Sequence, residues 1–341
     1  MIIFDARVLK RSKITGVERY AKEIFNYIRE KHNDVECLTP MNLGRIYEHI
    51  WTHTILPVRT YLRGASVLFC PVNDAPFVLP RKVRLVVTIH DLAFIRFPEM
   101  YSWSFRTYYR LVLPIIIKRA DRLICISKSE ESYILDRFPE AIGKTKVIYH
   151  GVSDKFSNLE PLKEKKILAV ASFNKHKNLK NLLLAFERIM SDIPHSLTLV
   201  GSPRTVISSD DELEAIISRL SVSGRIALTG YVTDDELRYH YATAEVFVFP
   251  SYFEGFGLPI LEAMSSKCVV CCSNTSAMPE VAGEAAVYFD PSVVEEISAS
   301  IIRVTEDKIF SDKLRELGYL RAKQFSWIQA GRRTLDVLLG G

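Results

Sequence analysis

The feature that most constrains the fold is an alternation that runs along the whole chain and restarts halfway. Short aliphatic and β-branched runs at residues 1–4, 67–70, 85–89, 122–126 and 146–149 are separated by stretches with helical spacing of apolar residues, such as 18–29 and 129–138. A second series follows at 166–171, 196–200, 225–229, 246–249, 268–271 and 286–289. Runs that stay apolar from one residue to the next suit strands buried on both faces, the mark of parallel sheets covered by helices. The expectation is an α/β chain with two Rossmann-like, doubly wound domains. Between the series, Asp154-Lys-Phe-Ser-Asn-Leu-Glu-Pro-Leu-Lys-Glu-Lys165 is polar and without a strong period, which reads as a linker. A boundary near residue 158 gives domains at 1–157 and 158–324. Residues 325–341 form a last segment in which Ser326 caps an apolar helical pattern.

A length of 341 residues and 48% hydrophobic content can fill two cores of ordinary size. The balance of 45 basic to 40 acidic residues, +5, is too mild for a nucleic-acid binder but suits an anionic ligand or an anionic membrane face. No stretch approaches the roughly 20 apolar residues of a membrane span, and Met1-Ile-Ile-Phe-Asp5 enters a strand rather than a signal peptide, so a cytoplasmic location is expected. Of six cysteines, Cys268, Cys271 and Cys272 share one strand-like run and read as core thiols. A zinc site would need a second Cys or His pair at ligand spacing, and His150 and His176 stand alone, so neither metal nor cofactor is expected.

Chemistry concentrates in Pro250-Ser-Tyr-Phe-Glu-Gly-Phe-Gly-Leu-Pro-Ile-Leu-Glu262, which follows the strand-like Glu245-Val-Phe-Val-Phe. Gly255 and Gly257 free the backbone for a tight turn, and Pro259 suits the first turn of a helix beginning near Leu258. Backbone N–H groups of Phe256, Gly257 and Leu258, with the positive end of the helix dipole, make a phosphate-binding start. Glu254 precedes the turn and Glu262 lies one turn inside the helix, so two carboxylates flank that start and offer hydroxyl acceptors on either side.

The Glu-x7-Glu spacing with Gly-Phe-Gly-Leu-Pro inside it is similar to the retaining glycosyltransferases of family four, which have the GT-B fold of two Rossmann-like domains facing across a cleft. The resemblance covers nearly the whole chain and is strongest over residues 245–291. It implies that Glu254 holds donor-sugar hydroxyls and Glu262 the ribose. Lys175-His-Lys-Asn-Leu179 resembles the family's basic element, so that Lys177 matches the lysine on the diphosphate. The Arg often found five or six residues earlier is replaced by Ala171-Ser172-Phe173, so Ser172 takes that place at the site and Lys175 substitutes for the charge in part. His90, in Thr88-Ile-His-Asp-Leu92, matches the histidine that meets the donor sugar. Gly16, in Ser12-Lys-Ile-Thr-Gly-Val-Glu-Arg19, matches the glycine loop of the first domain, a simple helix-start turn being nearly as good a reading. Tyr231 and Val232 stand where the family reads the nucleobase, while Thr233 and Glu236 there also form a capping box. The last helix resembles the one that crosses back onto the first domain.

The resemblance thus implies a retaining hexosyltransferase with a nucleotide-sugar donor. Its acceptor is a glycan or a lipid-linked saccharide, as in surface polysaccharide or O-antigen synthesis. Ser276-Ala-Met-Pro-Glu280 and the His90 motif favour the mannosyl- and rhamnosyltransferase branch, hence GDP-mannose. No Asp-x-Asp triplet occurs, so a metal-independent reaction is expected. Trp51, Arg59, Tyr61, Arg63 and the run 101–110 mix aromatic with basic residues and suit peripheral contact with an anionic membrane, ordinary helix packing being an equal reading. The alternatives are a catalytically silent scaffold that binds a nucleotide sugar, or a phosphorylase or epimerase of the same fold. A dehydrogenase is disfavoured because no Gly-x-Gly-x-x-Gly opens either half.

Overall fold

Both strand series close into parallel sheets. The computed structural model describes residues 1–11, 16–41, 44–157, 159, 161–201 and 211–341. In the first sheet β1 (Ile2–Asp5), β2 (Val35–Leu38), β3 (Val67–Cys70), β4 (Arg84–Ile89), β5 (Arg122–Cys125) and β6 (Thr145–Val147) are ordered β2-β1-β3-β4-β5-β6. In the second, β7 (Glu164–Val170), β8 (Ser196–Val200), β9 (Ile226–Gly230), β10 (Ala244–Phe249), β11 (Val269–Ser273) and β12 (Ala286–Phe289) are ordered β12-β11-β10-β7-β8-β9. All strand pairs are parallel, with registers such as Phe4 opposite Phe69 and Phe249 opposite Cys272. Each sheet winds outward from its first strand, returns to that strand's other side and winds the other way. The reversals lie between β1 and β3 and between β7 and β10, and ligands of open α/β sheets bind at the carboxyl ends of such strands.

The inner strands are largely apolar because helices cover both faces: every residue of β1, β3 and β11 is buried, the polar Asp5 and Ser273 at their carboxyl ends included. Strand β2 escapes the sequence pattern. It is an edge strand in which only Leu38 is fully buried, so it lacks the apolar run that betrays the others. Cys70, Cys125, Cys268, Cys271 and Cys272 are free, buried thiols and Cys37 a half-buried one.

The chain divides into two compact units, residues 1–151 with 326–341, and residues 152–325. Residue 158, the expected boundary, lies outside the described residues. In the first unit the helix Trp327–Leu339 packs on the helix Gly16–Lys31, starts under a bond from Ile328 N to Ser326 Oγ, and ends where Arg84 donates to the carbonyls of Val337 and Leu338. A Cβ at Gly331 would stand 2.3 Å from the Tyr27 ring, so this crossing closes only on glycine. Trp51 is fully buried in the first unit's core and faces no solvent or lipid surface. No helix among the described residues is long and apolar enough to cross a membrane.

Candidate active site

In the second unit the parallel pairing of β7 with β10 sets the segments that follow them side by side. After β7, Lys175–Lys177 makes one 3-10 turn and Asn178 takes a left-handed conformation, φ 55°, before the helix Leu179–Ile189. The amide of buried Asn178 donates to the carbonyls of Pro250, 3.1 Å, and Pro291, 2.6 Å, while Tyr252 N donates to His176 O. The loops after β7, β10 and β12 are thereby tied together. On this frame the Lys177 ammonium meets Glu254 Oε1 at 2.6 Å, with both side chains largely covered. Glu254 N donates to Ser276 Oγ, and Thr275 Oγ1 to Tyr252 O, so the segment after β11 fixes the same loop. His176 is held neutral, since burial and then the neighbouring Lys177 charge pull its pKa down to about 4.

Gly257 caps the next helix, Leu258–Ser265, with φ 99°, a conformation that favours glycine, and Pro259 occupies its first turn. Phe256 and Leu258 on either side are buried, Phe256 against Phe325 with ring centres 6.0 Å apart. Glu262 is buried in the second turn, where Tyr241 donates its hydroxyl at 3.1 Å. Tyr241 lies outside the contiguous motif, and nothing in its local sequence marks it as the group that orients Glu262.

The remaining expected residues of this unit follow β7 and β9. Ser172 accepts from the Asn174 amide at 3.1 Å, and Lys175 is exposed. Tyr231, 68% exposed, and half-buried Val232 follow β9, ahead of a complete capping box at Thr233 and Glu236. Gly201, outside every motif read from the sequence, follows β8: its Cβ would lie 1.9 Å from the Ala171 carbonyl, so the β7 and β8 exits touch backbone to backbone.

In the first unit His90 follows β4 and is buried. Its Nε2 donates to Pro71 O at 2.8 Å, which makes Nδ1 the acceptor nitrogen, and burial lowers its pKa to about 4. Asn73 accepts from His90 N and donates to Asp91 O, both at 2.7 Å, and Asp91 Oδ1 accepts from Ala93 N. Gly16 opens its helix in the open, with no neighbour within 4 Å of a built Cβ, and residues 12–15 of its loop lie outside the described residues. From that helix Tyr20 packs edge-on to His90 at 4.9 Å.

The reversal between β1 and β3 carries a polar group that the sequence reading missed. Buried Arg7 bonds Asp5 at 3.0 Å, Asp74 Oδ2 at 2.9 Å, Asp74 O at 2.7 Å and Thr52 Oγ1. Beside it stand His49, His53 and Tyr108. The signal was available: His49-Ile-Trp-Thr-His53 places two imidazoles one helical turn apart.

Comparison with known proteins agrees with this architecture. The family description "Glycosyl transferases group 1" matches residues 153–321 and "Glycosyltransferase Family 4" residues 72–156. The O-antigen chain mannosyltransferase B of Escherichia coli is 33% identical over 76% of this chain and 71% of its own length. The serotype-specific mannosyltransferase WbdA of Escherichia coli is 28% identical over 83% of this chain, which spans only 36% of that protein. Among solved structures, a sucrose-phosphate synthase from Thermosynechococcus elongatus superposes with a TM-score of 0.77, at 19% identity over 98% of this chain and 97% of the other. Anabaena Alr3699/HepE in complex with UDP and glucose does so with 0.76, at 18% identity over 100% and 99%. The α/β fold of two Rossmann-like units is therefore that of the GT-B enzymes, and the chain belongs to glycosyltransferase family 4.

Proposed function

We propose that the chain transfers a mannosyl group from GDP-mannose, with retention and without a metal on the diphosphate, to a glycan or lipid-linked saccharide of a surface polysaccharide. The observation that carries this reading is the Lys177–Glu254 contact beside the glycine-started helix, at the strand reversal of the second unit. A lysine and a helix start supply positive potential to a diphosphate, and the carboxylate beside them accepts hydroxyl bonds. In the unloaded chain the two charges neutralise each other. An arriving diphosphate takes the ammonium, and Glu254 is released to the sugar hydroxyls. Glu262, held by Tyr241, serves the ribose, with the backbone at Tyr231 and Val232 for the base and His90 for the sugar.

In the transfer the bond from C1 to the diphosphate oxygen breaks, and its electron pair leaves on the phosphate. The acceptor hydroxyl attacks the same face of the oxocarbenium-like centre, and its proton passes to the departing phosphate oxygen. Lys177, Ser172, Lys175 and the N–H groups at Phe256, Gly257 and Leu258 stabilise the charge that develops there. Both Glu254 and Glu262 act by positioning. The names of both relatives, as mannosyltransferases, support the mannosyl group, and the O-antigen chain mannosyltransferase B supports the acceptor class.

The acceptor side suits a membrane-borne substrate. Trp103, Leu111 and Ile115 are exposed on the helix Trp103–Arg119 beside Arg110 and Lys118, and Val58, Tyr61 and Leu62 are exposed beside Arg59 and Arg63. Sedimentation with anionic but not neutral vesicles at low salt is the expected result, and its absence removes the membrane from the proposal.

The main test is thermal stabilisation by GDP, UDP, ADP and dTDP and their sugar conjugates, with and without chelator. A GDP-selective upward shift that survives chelation is expected. No shift with any nucleotide would favour a silent scaffold, and a shift lost with chelator would end the metal-independent reading. The anomeric configuration of the product, read by NMR, tests retention.

A further inference from the structure

We propose that the first unit holds one divalent transition-metal ion at the carboxyl ends of β1 and β3, with His49 Nδ1, His53 Nε2, Asp74 Oδ1 and the Tyr108 phenolic oxygen as ligands. His49, His53 and Asp74 offer ligand atoms that all lie within 4.8 Å of one another. The Tyr108 oxygen stands 3.0 Å from His49 Nδ1, 2.7 Å from His53 Nε2 and 3.3 Å from Asp74 Oδ1. His53 Nε2 lies 3.7 Å from Asp74 Oδ1, and His49 Nδ1 lies 3.7 Å from Oδ2 of the same carboxylate. A tetrahedral zinc site with bonds of about 2.0–2.1 Å has ligand-to-ligand edges of about 3.3 Å, so these separations bracket that of four donors around one ion.

The surroundings hold the donors in place. Arg7 engages Asp74 Oδ2 and turns Oδ1 towards Tyr108 and His53. The His53 ring lies flat on Phe77, centroids 3.8 Å apart at 8°, which fixes its direction. Arg7 is shared by two carboxylates, Asp5 and Asp74, so the trio carries one net negative charge before an ion enters. His49 is 43% exposed and leaves a path from solvent. Two imidazoles, a carboxylate and a phenol suit a borderline ion such as Zn2+, with Co2+ as its spectroscopic stand-in. The competing account is a metal-free network in which both imidazoles donate to the Tyr108 oxygen and Tyr108 donates to Asp74.

Tag-free full-length chain, stripped with chelator, is titrated with Co2+ and separately dialysed against Zn2+. One retained equivalent and the strong visible absorption of four-coordinate Co2+ are expected, and both should be lost in His53→Gln and reduced at least tenfold in affinity in Tyr108→Phe. Near-UV circular dichroism and the urea midpoint of the first unit report that each variant is folded. The proposal falls if wild type retains no Co2+ or shows only the weak spectrum of the six-coordinate ion. It falls equally if either folded variant binds like wild type. None of these outcomes depends on the sugar-transfer reading, which is judged by the nucleotide-induced shift.

Discussion

The two units reverse their sheets at equivalent places, yet they furnish those places in opposite ways. Between β7 and β10 sits one ion pair, Lys177–Glu254, largely covered, on a frame of side-chain-to-carbonyl bonds. Between β1 and β3 sits Arg7, 3% exposed and bonded to two carboxylates, a backbone carbonyl and a hydroxyl. In the proposed reaction the first pair changes partners, because an arriving diphosphate gives the covered ammonium another anion in place of the carboxylate. The other is fixed, because a buried guanidinium robbed of its partners has no water to turn to. The same topology thus yields, under the proposed function, a site whose contacts change on loading, and beside it a network whose contacts hold the first unit together.

The sharpest way to break this contrast is Arg7→Ala. It should cost about 3–5 kcal/mol of first-unit stability in urea unfolding, since two buried carboxylates lose their counter-charge, while the nucleotide-induced shift persists. A loss below about 1 kcal/mol would mean that the network is as dispensable as a surface pair. Next, Lys177→Ala should lower kcat/KM by roughly 10²–10³, the usual worth of one preorganised charge on a leaving group, with the urea midpoint of the first unit unmoved. Glu262→Ala should weaken nucleotide binding about tenfold to a hundredfold, or about 1.5–3 kcal/mol of charged hydrogen bonding, measured by calorimetry. Equal affinity in wild type and variant would remove Glu262 from the ribose.

Acidification acts on both units alike. His90 and His176 have folded pKa values near 4, below the usual 6.5, so the unfolded chain takes up their protons first. Their contribution is complete above pH 6.5 and is lost as pH falls towards 4, about 1–2 kcal/mol each by pH 5. His90→Gln and His176→Gln should each flatten the fall in stability between pH 7 and 5. The smallest effect on binding is expected for Glu254→Gln: with the competitor for Lys177 gone, free nucleoside diphosphate should bind up to a few-fold tighter while turnover drops. Weaker diphosphate binding in that variant would contradict the exchange of partners.

Much of this fold was legible because buried parallel strands write themselves as unbroken apolar runs, and because the strand, turn and helix of residues 245–262 are contiguous. Strand β2 was not, since an edge with one buried residue carries no such run. The meeting of Lys177 with Glu254 follows from β7 lying beside β10, an adjacency absent from chain order. Asn178 and Asn73 act on carbonyls and amides of distant or plain residues, which no residue-type pattern marks. Trp51 misled for a physical reason: an aromatic among arginines looks the same in sequence whether it faces lipid or its own core.

The first unit is made of two separated segments, 1–151 and 326–341, whereas the second is one continuous stretch, 152–325. During synthesis the second unit is therefore complete while the first still lacks a helix. Residues 1–151, although they leave the ribosome before the second unit, must wait for the strip carrying Gly331 to cover Tyr27, reversing the order in which the earlier of two domains matures first. A stop codon or bulky fusion that interferes with residues 326–341 should thus injure the beginning of the chain, leaving a finished second unit beside a first one with an uncovered apolar face.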